Sequence, residues 1–388
     1  MSTEPTKTVV LAGYVRSPFT PAFKGQLARV RPDELAAQVV KALVQRTGVE
    51  VQDLEDLIMG CAFPEAEQGF NIARLVTFLA DLPRSVAGTT VNRFCGSSMQ
   101  AIHMAAGAIQ MNAGEAFICA GVESMSRVPM VGYNPMPHPG LYESYPQAYI
   151  GMGDTAENMA QKYMISREAQ DSFALESHQK AARAREEGRL SDEIVTIETA
   201  QGPVELDSCI RPETDTKSLF ELKPAFSEKG SVTAGTSSPL TDGAVAVLVC
   251  TEAYADAHHL QKLAKIRSFA VSGCQPEIMG IGPVESTRKA LRRAGLSLEQ
   301  MDVIELNEAF ASQSLAVLQE LDPENSLRDK VNIDGGALAL GHPLGATGAR
   351  ITAKAAQIMQ REGGQYALAT QCIGGGQGIA TILEAIRD

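Results

Sequence analysis

Three features of the 388-residue chain predict an α/β protein built from two related halves. Strand-like segments alternate with helix-like segments of roughly 10–18 residues at both ends, the pattern of parallel βαβ units. The two ends also resemble one another at a constant offset. Finally, 388 residues exceed the ~250–300 at which a single core stops growing.

The elements follow in order. Thr8–Val15 reads as the first strand, and Pro32–Gly48 as an amphipathic helix opened by Pro and closed by Gly. Leu57–Ala62 is the next strand, Asn71–Leu79 a helix, and Thr89–Asn92 a short buried strand. A small-residue helix from Gly96 to Asn112 leads into the strand Ala116–Ala120. In the second half, Lys265–Ser272 and Asp302–Leu306 are strands separated by the helix Pro283–Ala294. Glu308–Leu321 reads as helix, Val331–Ile333 as strand, and Gly345–Glu362 as helix; Gln365–Thr370 and Gly378–Ala385 close as strands. Between the halves, Met125–Ile150 is rich in Pro, Met, Tyr and Gly without periodicity, which predicts an ordered loop or lid. Helices Ala156–Tyr163 and Ser166–Gly188 follow it. The expected division is an N-terminal half at 1–120, an inserted loop domain at 121–242, a return strand and helix at 243–263, and a C-terminal half at 264–388.

The repeat is carried by residues. Lys41-Ala42-Leu43, Gly48 and Leu57-Ile58 parallel Lys289-Ala290-Leu291, Gly295 and Ile304. Gly48 to Gly295 spans 247 positions (295 − 48), and the same offset sets Cys95 opposite His342 (342 − 95). Both residues are Gly-flanked and stand just before a helix.

Composition narrows the function. Hydrophobic residues at 44% and charged residues at 21% describe a globular protein. The net charge of −12, with no Lys/Arg block, disfavours a nucleic-acid binder, which needs a basic face. Met1–Lys7 is short and polar, unlike a secretory signal, and no apolar run approaches the ~20 residues of a membrane span. The C-terminal Ala385-Ile386-Arg387-Asp388 carries no lipidation signal. Seven widely spaced cysteines without C-x-x-C argue against a disulfide framework or a zinc site and predict reduced thiols in the cytoplasm.

Two of those thiols stand where chemistry is favoured. Cys95, in Asn92-Arg93-Phe94-Cys95-Gly96-Ser97, lies at a strand-to-helix junction, where free N–H groups and the helix dipole favour a thiolate. That effect is at most ~2 kcal/mol, or roughly 1.5 pKa units, so a base is still needed. His342, in Gly341-His342-Pro343-Leu344-Gly345, is the candidate base. Cys372 precedes Gly374-Gly375-Gly376, whose exposed N–H groups suit an oxyanion; a tight hairpin explains the glycines equally well. Asn307-Glu308-Ala309-Phe310 also follows a strand, and a helix cap is its plainer reading.

Taken together, the segments Asn92–Gln100, Asn307–Phe310, Gly335–Gly348 and Cys372–Gly378 resemble, in order and spacing, the motifs of the thiolase family. The resemblance spans nearly the whole chain, including Gly153–Asn158 and Thr233–Gly243. It implies two βαβαβαββ halves in a five-layer α-β-α-β-α arrangement with an inserted loop domain. It also implies thiolytic cleavage of 3-ketoacyl-CoA to acetyl-CoA and a shortened acyl-CoA, with CoA as substrate and neither metal nor further cofactor. In that mechanism His342 takes the proton of Cys95, which becomes acylated; Asn307 holds a water at the enolate oxygen. Cys372 protonates the enolate carbon, and the N–H groups of Cys95 and Gly374 bind the second oxyanion. Met152, Lys223 and Ser238 would line the CoA cleft, Lys223 standing where the family often has Arg. Gly151 replaces the His of short-chain members, which favours a degradative 3-ketoacyl-CoA thiolase over an acetoacetyl-CoA thiolase running in the condensing direction. A decarboxylative ketoacyl synthase is disfavoured by Cys372, and a non-catalytic acyl-CoA carrier by the intact set Cys95, His342 and Cys372, none of which a carrier needs. Asp334 stands where the family usually has Asn, with no consequence legible in the sequence. Expected partners are acyl-CoA, CoA, further copies of the chain as a homodimer or homotetramer, and a hydratase/dehydrogenase subunit of β-oxidation.

Overall fold

In the computed structural model, which describes residues 7–386, the first half runs β1 (Val9–Arg16), β2 (Thr20–Pro21), α1 (Pro32–Thr47), β3 (Leu54–Gly60), α2 (Ile72–Leu79), β4 (Ala87–Val91), α3 (Ser97–Gln110) and β5 (Ala116–Ser124). The next segment carries α4 (Pro139–Ser144), α5 (Met152–Lys162), α6 (Arg167–Glu186) and α7 (Thr216–Phe220) before β6 (Thr241–Thr251) and α8 (Glu252–Ala257). The second half runs β7 (Ala264–Gly273), α9 (Gly282–Ala294), β8 (Val303–Leu306), α10 (Ala311–Leu321), α11 (Ala337–Leu340), α12 (Leu344–Glu362), β9 (Tyr366–Ile373) and β10 (Gln377–Glu384). Met1–Thr6 and Arg387–Asp388, at the two ends discussed above, lie outside the described residues.

Helix ends follow local chemistry. Helix α1 opens with Pro32, Asp33 and Glu34, which suit its dipole, and stops at Gly48 with φ 67°. Helix α9 repeats the device with Pro283, Glu285 and Gly295 at φ 71°.

Strand order shows the duplication directly. One half reads β4-β3-β5-β6-β1, the other continues β7-β10-β9-β8, and Val331 bridges Ile304 beyond β8. The pairs β3·β4, β3·β5 and β8·β9 are parallel; β5·β6, β1·β6, β9·β10 and β7·β10 are antiparallel. Each half is therefore the same sheet read inward from its own edge. They join where Val10 and Leu11 pair with Lys265 and Ala264.

Alternation along the strands sets the layers. Leu57 and Met59 pack outward against Leu35, Val39 and Val76 of α1 and α2, whereas Ile58 between them faces Met99 and Ile102 of α3. Leu368 packs outward with Leu291 and Val317 of α9 and α10, whereas Ala367 and Ala369 face Ile351 and Ala355 of α12. Helices α3 and α12 thus lie between the two halves of the sheet, completing five layers. Gly348 permits this approach: a Cβ there would sit 2.6 Å from the Met99 nitrogen.

Four segments differ from the sequence expectation. The strand expected to be buried at Thr89–Asn92 runs Ala87–Val91 at the sheet edge, where no residue of it is fully buried, because only β3 pairs with it. The strand foreseen at Val331–Ile333 is reduced to one bridge at the sheet edge. The helix expected from Glu308 begins at Ala311, because Phe310 is extended (φ −145°, ψ 147°) and Glu308 is turned back toward α11. Met125–Ile150 contains α4 and a 3₁₀ turn at Pro146–Tyr149, pinned by the Tyr145 hydroxyl donating to Glu277 (3.0 Å).

Candidate active site

Cys95 sits in the turn between β4 and α3. The preceding Phe94 is left-handed (φ 42°), an uncommon conformation for a side chain of that size. Side-chain bonds hold the turn: Phe94 N–H donates to Asn92 Oδ1 (2.8 Å), Arg93 N–H to Ser97 Oγ (2.9 Å), and Ser97 Oγ to Phe94 O (2.6 Å). Gln371, beside Cys372 on β9, donates to the Cys95 carbonyl. Burial pushes the Cys95 thiol up to about 11, while the N–H groups of Gly374 and Cys95 itself work in the opposite direction. The helix-start effect expected from the sequence is thus outweighed by desolvation.

Cys372 is 1% exposed and pairs with Gly378 across the β9–β10 hairpin. Burial raises its thiol well above the ordinary range, and the neighbouring Cys95 adds to this. The hairpin turn uses Gly375 (φ 77°) and Gly376 (φ 81°) for its left-handed positions and leaves the Gly374 N–H for the Cys95 sulfur. The hairpin reading of this glycine run holds. Cys372 packs with Ala156, Met279, Phe310 and Met152, whereas Cys95 packs with Ala22, Ala62, Phe63, Met125 and Leu344.

His342 follows Gly341 (φ 97°) and is buried. Its backbone N–H donates to Thr241 Oγ1 (3.0 Å), and its Nδ1 lies 2.7 Å from Thr347 Oγ1. Thr347 spends its own proton on the Pro343 carbonyl (3.0 Å), so its oxygen accepts from Nδ1–H. That network leaves Nε2 unprotonated, 3.3 Å from Asn307 Nδ2. Burial, then the Arg350 charge, lowers the imidazole to about 3. A neutral thiol and a neutral imidazole are therefore the resting forms. Asn307 is held by its N–H on the Thr370 carbonyl (3.0 Å), and its Oδ1 is buried without a hydrogen-bond partner among the described residues.

Glu308 points elsewhere. Its carboxylate accepts from Ser177 (2.6 Å), Asn332 (2.7 Å) and the Leu338 N–H (3.2 Å), fixing the start of α11. Of the remaining candidates, Met152 opens α5, its Sδ 3.5 Å from where a Cβ on Gly374 would stand. Ser238 donates its N–H to the Ala309 carbonyl (3.0 Å). Lys223 is exposed, with no ionic partner among the described residues. Gly151 is exposed as the N-cap of α5.

Other groups at the site were not foreseen. Glu123 is fully buried and accepts from the N–H groups of Ala62 (2.8 Å), Phe63 (3.3 Å) and Gly345 (2.9 Å) and from Gln68 (2.8 Å). It ties the loop after β3 to the start of α12. Its signal was an acid closing an otherwise apolar strand, Ala116–Val122. Thr347, which orients His342, stands five residues after it. Asp334 is fully buried and accepts from Arg189 (2.5 Å), Lys354 (3.0 Å) and Arg361 (2.7 Å). Burial pushes its carboxyl up, but the Arg361 and Lys354 contacts prevail and hold it below the usual range. Among the described residues no cluster of three or more His, Cys, Asp or Glu stands ready for a metal, and no helix is long and apolar enough to cross a membrane.

Residues 9–253 match the thiolase N-terminal domain and residues 260–385 the thiolase C-terminal domain. The chain belongs to the thiolase family. This thiolase is 47% identical over 391 residues to a 3-ketoacyl-CoA thiolase of Bacillus subtilis (strain 168), covering 97% of the chain and 99% of the relative. It is 48% identical over 394 residues to that of Marinobacter nauticus, covering 100% of both. Among solved structures, human mitochondrial 3-ketoacyl-CoA thiolase in complex with CoA superposes with a TM-score of 0.89 at 38% identity, covering 98% of each chain. Bacillus anthracis acetyl-CoA acetyltransferase gives 0.89 at 40%, covering 98% of this thiolase and 99% of that chain.

Proposed function

We propose that this thiolase cleaves 3-ketoacyl-CoA with CoA through an acyl-Cys95 intermediate. His342 Nε2 takes the Cys95 proton as the sulfur attacks the 3-keto carbon, and the Cys95 and Gly374 N–H groups receive the oxyanion. The C2–C3 bond breaks, and its electron pair forms the acetyl-CoA enolate, stabilised by protonated His342 and a water on Asn307. Cys372 then gives its proton to C2. CoA enters, passes its thiol proton to Cys372 and displaces Cys95, whose sulfur recovers the proton held by His342. CoA would lie along Met152, Lys223 and Ser238. We take the enzyme to work in the cytoplasm as a homodimer or homotetramer, with a hydratase/dehydrogenase subunit of β-oxidation as a further partner.

The observation that carries this reading is the adjacency of half-buried Cys95 and buried Cys372, with one Gly374 N–H directed at Cys95. Two neutral thiols with separate roles suit a nucleophile and a carbon acid. Reach beyond four carbons is supported at the lid: the hydroxyl of Tyr149 accepts from His138 N–H (3.0 Å), and its ring lies 6.1 Å from Tyr142, so it is engaged within the lid itself. Intact-mass measurement after mixing with a 3-ketoacyl-CoA and no CoA should show one acyl adduct. Comparing kcat/KM for acetoacetyl-CoA with the six-, eight- and ten-carbon substrates tests the chain length; strict preference for acetoacetyl-CoA rejects the longer reach.

A further inference from the structure

Behind the His342–Asn307 contact lies a second pair that the proposed chemistry does not use. Glu305 on β8 is 1% exposed, and Arg350 on α12 is 3% exposed; Arg350 Nη1 donates to Glu305 Oε2 at 3.1 Å. Glu305 stands two residues before Asn307, and side chains two apart share one face of a strand. Arg350 stands three residues after Thr347, and side chains three apart are neighbours on a helix. The ion pair therefore repeats, one step along each element, the approach of α12 to β8 that Thr347, His342 and Asn307 make at the site. Its hydrogen bonding is incomplete: Arg350 Nε and Nη2 and Glu305 Oε1 are buried without hydrogen-bond partners among the described residues. Burial pushes the Glu305 carboxyl up to about 7, with Arg350 and then Lys354 pulling it back toward the charged form, so the 3.1 Å contact rather than a permanent full charge defines the pair. Replacing a buried pair by apolar side chains of similar volume is often neutral for stability or better, so stability is a weak account of why charges stand here.

We propose that Arg350 and Glu305 are positioning residues, an ionic clamp that holds α12 against β8 so that His342 Nε2 and Asn307 Nδ2 stay in register for the Cys95 proton transfer. The proposal rests on the thiolase reading for its consequence in turnover. Arg350 also lowers the basicity of the imidazole by its charge. Removing that charge alone would make His342 a stronger base, so a slower proton transfer in an Arg350 variant reports lost placement rather than lost basicity.

The double variant Arg350→Met/Glu305→Leu removes both charges and leaves neither partner buried alone. With acetoacetyl-CoA and CoA it should lose about 10- to 100-fold in kcat, the scale of a small misplacement, with KM within about twofold. Alkylation of Cys95 by iodoacetamide, located by peptide mass, should slow in parallel. Arg350→Lys keeps an ion pair with Glu305 and should recover kcat to within about threefold of the parent, because a point charge replaces the fork. Parental kcat and alkylation rate in the folded double variant would overturn the clamp. Should that variant not fold, Glu305→Gln is read in its place. Its neutral hydrogen bond is roughly half as strong, so kcat about threefold lower at unchanged KM supports the clamp, and parental kcat and alkylation overturn it. Alkylation needs no substrate, so failure of the parent to cleave acetoacetyl-CoA and the six- to ten-carbon 3-ketoacyl-CoAs alike would count against the thiolase reading and leave the clamp to be judged by alkylation.

Discussion

Cys95 and His342 occupy matching turns in the two halves, yet the helices behind them are unlike. Helix α3, behind Cys95, has no charged residue in Ser97–Gln110 and buries His103 as its one ionisable group. Helix α12, behind His342, buries Arg350 and Lys354, answered by Glu305, Glu193 and Asp334. One backbone plan thus presents Cys95 from an apolar layer and His342 from an ionic one. Burial drives both groups toward neutrality, the thiol up to about 11 and the imidazole down to about 3. Of the charges on α12, Arg350 acts on the imidazole, adding to the effect of burial. A shared fold sets where a residue stands, and the side chains behind it decide how it titrates.

Four measurements test this contrast. Cys95→Ala should lower kcat at least ~10⁴-fold, about 5.5 kcal/mol of transition-state stabilisation. An acyl adduct persisting in that variant would assign the nucleophile elsewhere. Asp334→Asn should destabilise the protein by about 3 kcal/mol, since three cations would face a neutral group in a buried site. Urea unfolding reads this, and an unchanged midpoint would mean that the ionic layer is not anchored at Asp334.

Next in size, Cys372→Ala should slow exchange of the acetyl-CoA α-proton for solvent deuterium ~10²-fold, about 2.7 kcal/mol, with Cys95 acylation less affected. Undiminished exchange would move the carbon acid to another group. The smallest effect belongs to His103, stacked on Phe269 at 4.1 Å and lowered to about 3 by burial, then by Arg93. Below the unfolded value near 6.5, the unfolded chain takes a proton that the folded imidazole refuses, so stability falls as pH drops from 6.5 toward 3. His103→Gln removes that loss, and its stability relative to the parent should gain about 1.4 kcal/mol per pH unit between pH 6 and 4. A pH-independent difference would show that the buried His103 is protonated in the fold.

Much of this arrangement was legible in the chain. Pro32 and Gly48, and Pro283 and Gly295, bracket helices because they act through their own backbone angles. Gly341 beside His342, and Gly375 and Gly376 after Cys372, mark tight turns for the same reason, whereas Gly96 beside Cys95 has an ordinary φ of −83° and makes room for Ile373. Less legible was anything resting on a distant partner. Glu308 belongs to the Asn307 motif, yet it turns to Ser177 and Asn332. The strand at Val331 has the right residues but only Ile304 to pair with. Asp334 had no reading until Arg189, Lys354 and Arg361 surrounded it.

The amino-acid sequence by itself determined the alternation of strands and helices, the duplication, and the turns that present Cys95, His342 and Cys372. Those features rest on side-chain periodicity and on backbone angles, which neighbouring residues settle among themselves. Tertiary structure alone decided the ionisation states, the tautomer of His342 and the partners of Glu308 and Asp334. Desolvation depends on every atom packed around a group, and most of those atoms come from far along the chain. For Cys95 a helix start could supply at most ~2 kcal/mol toward the thiolate, and burial between two halves of one sheet outweighed it.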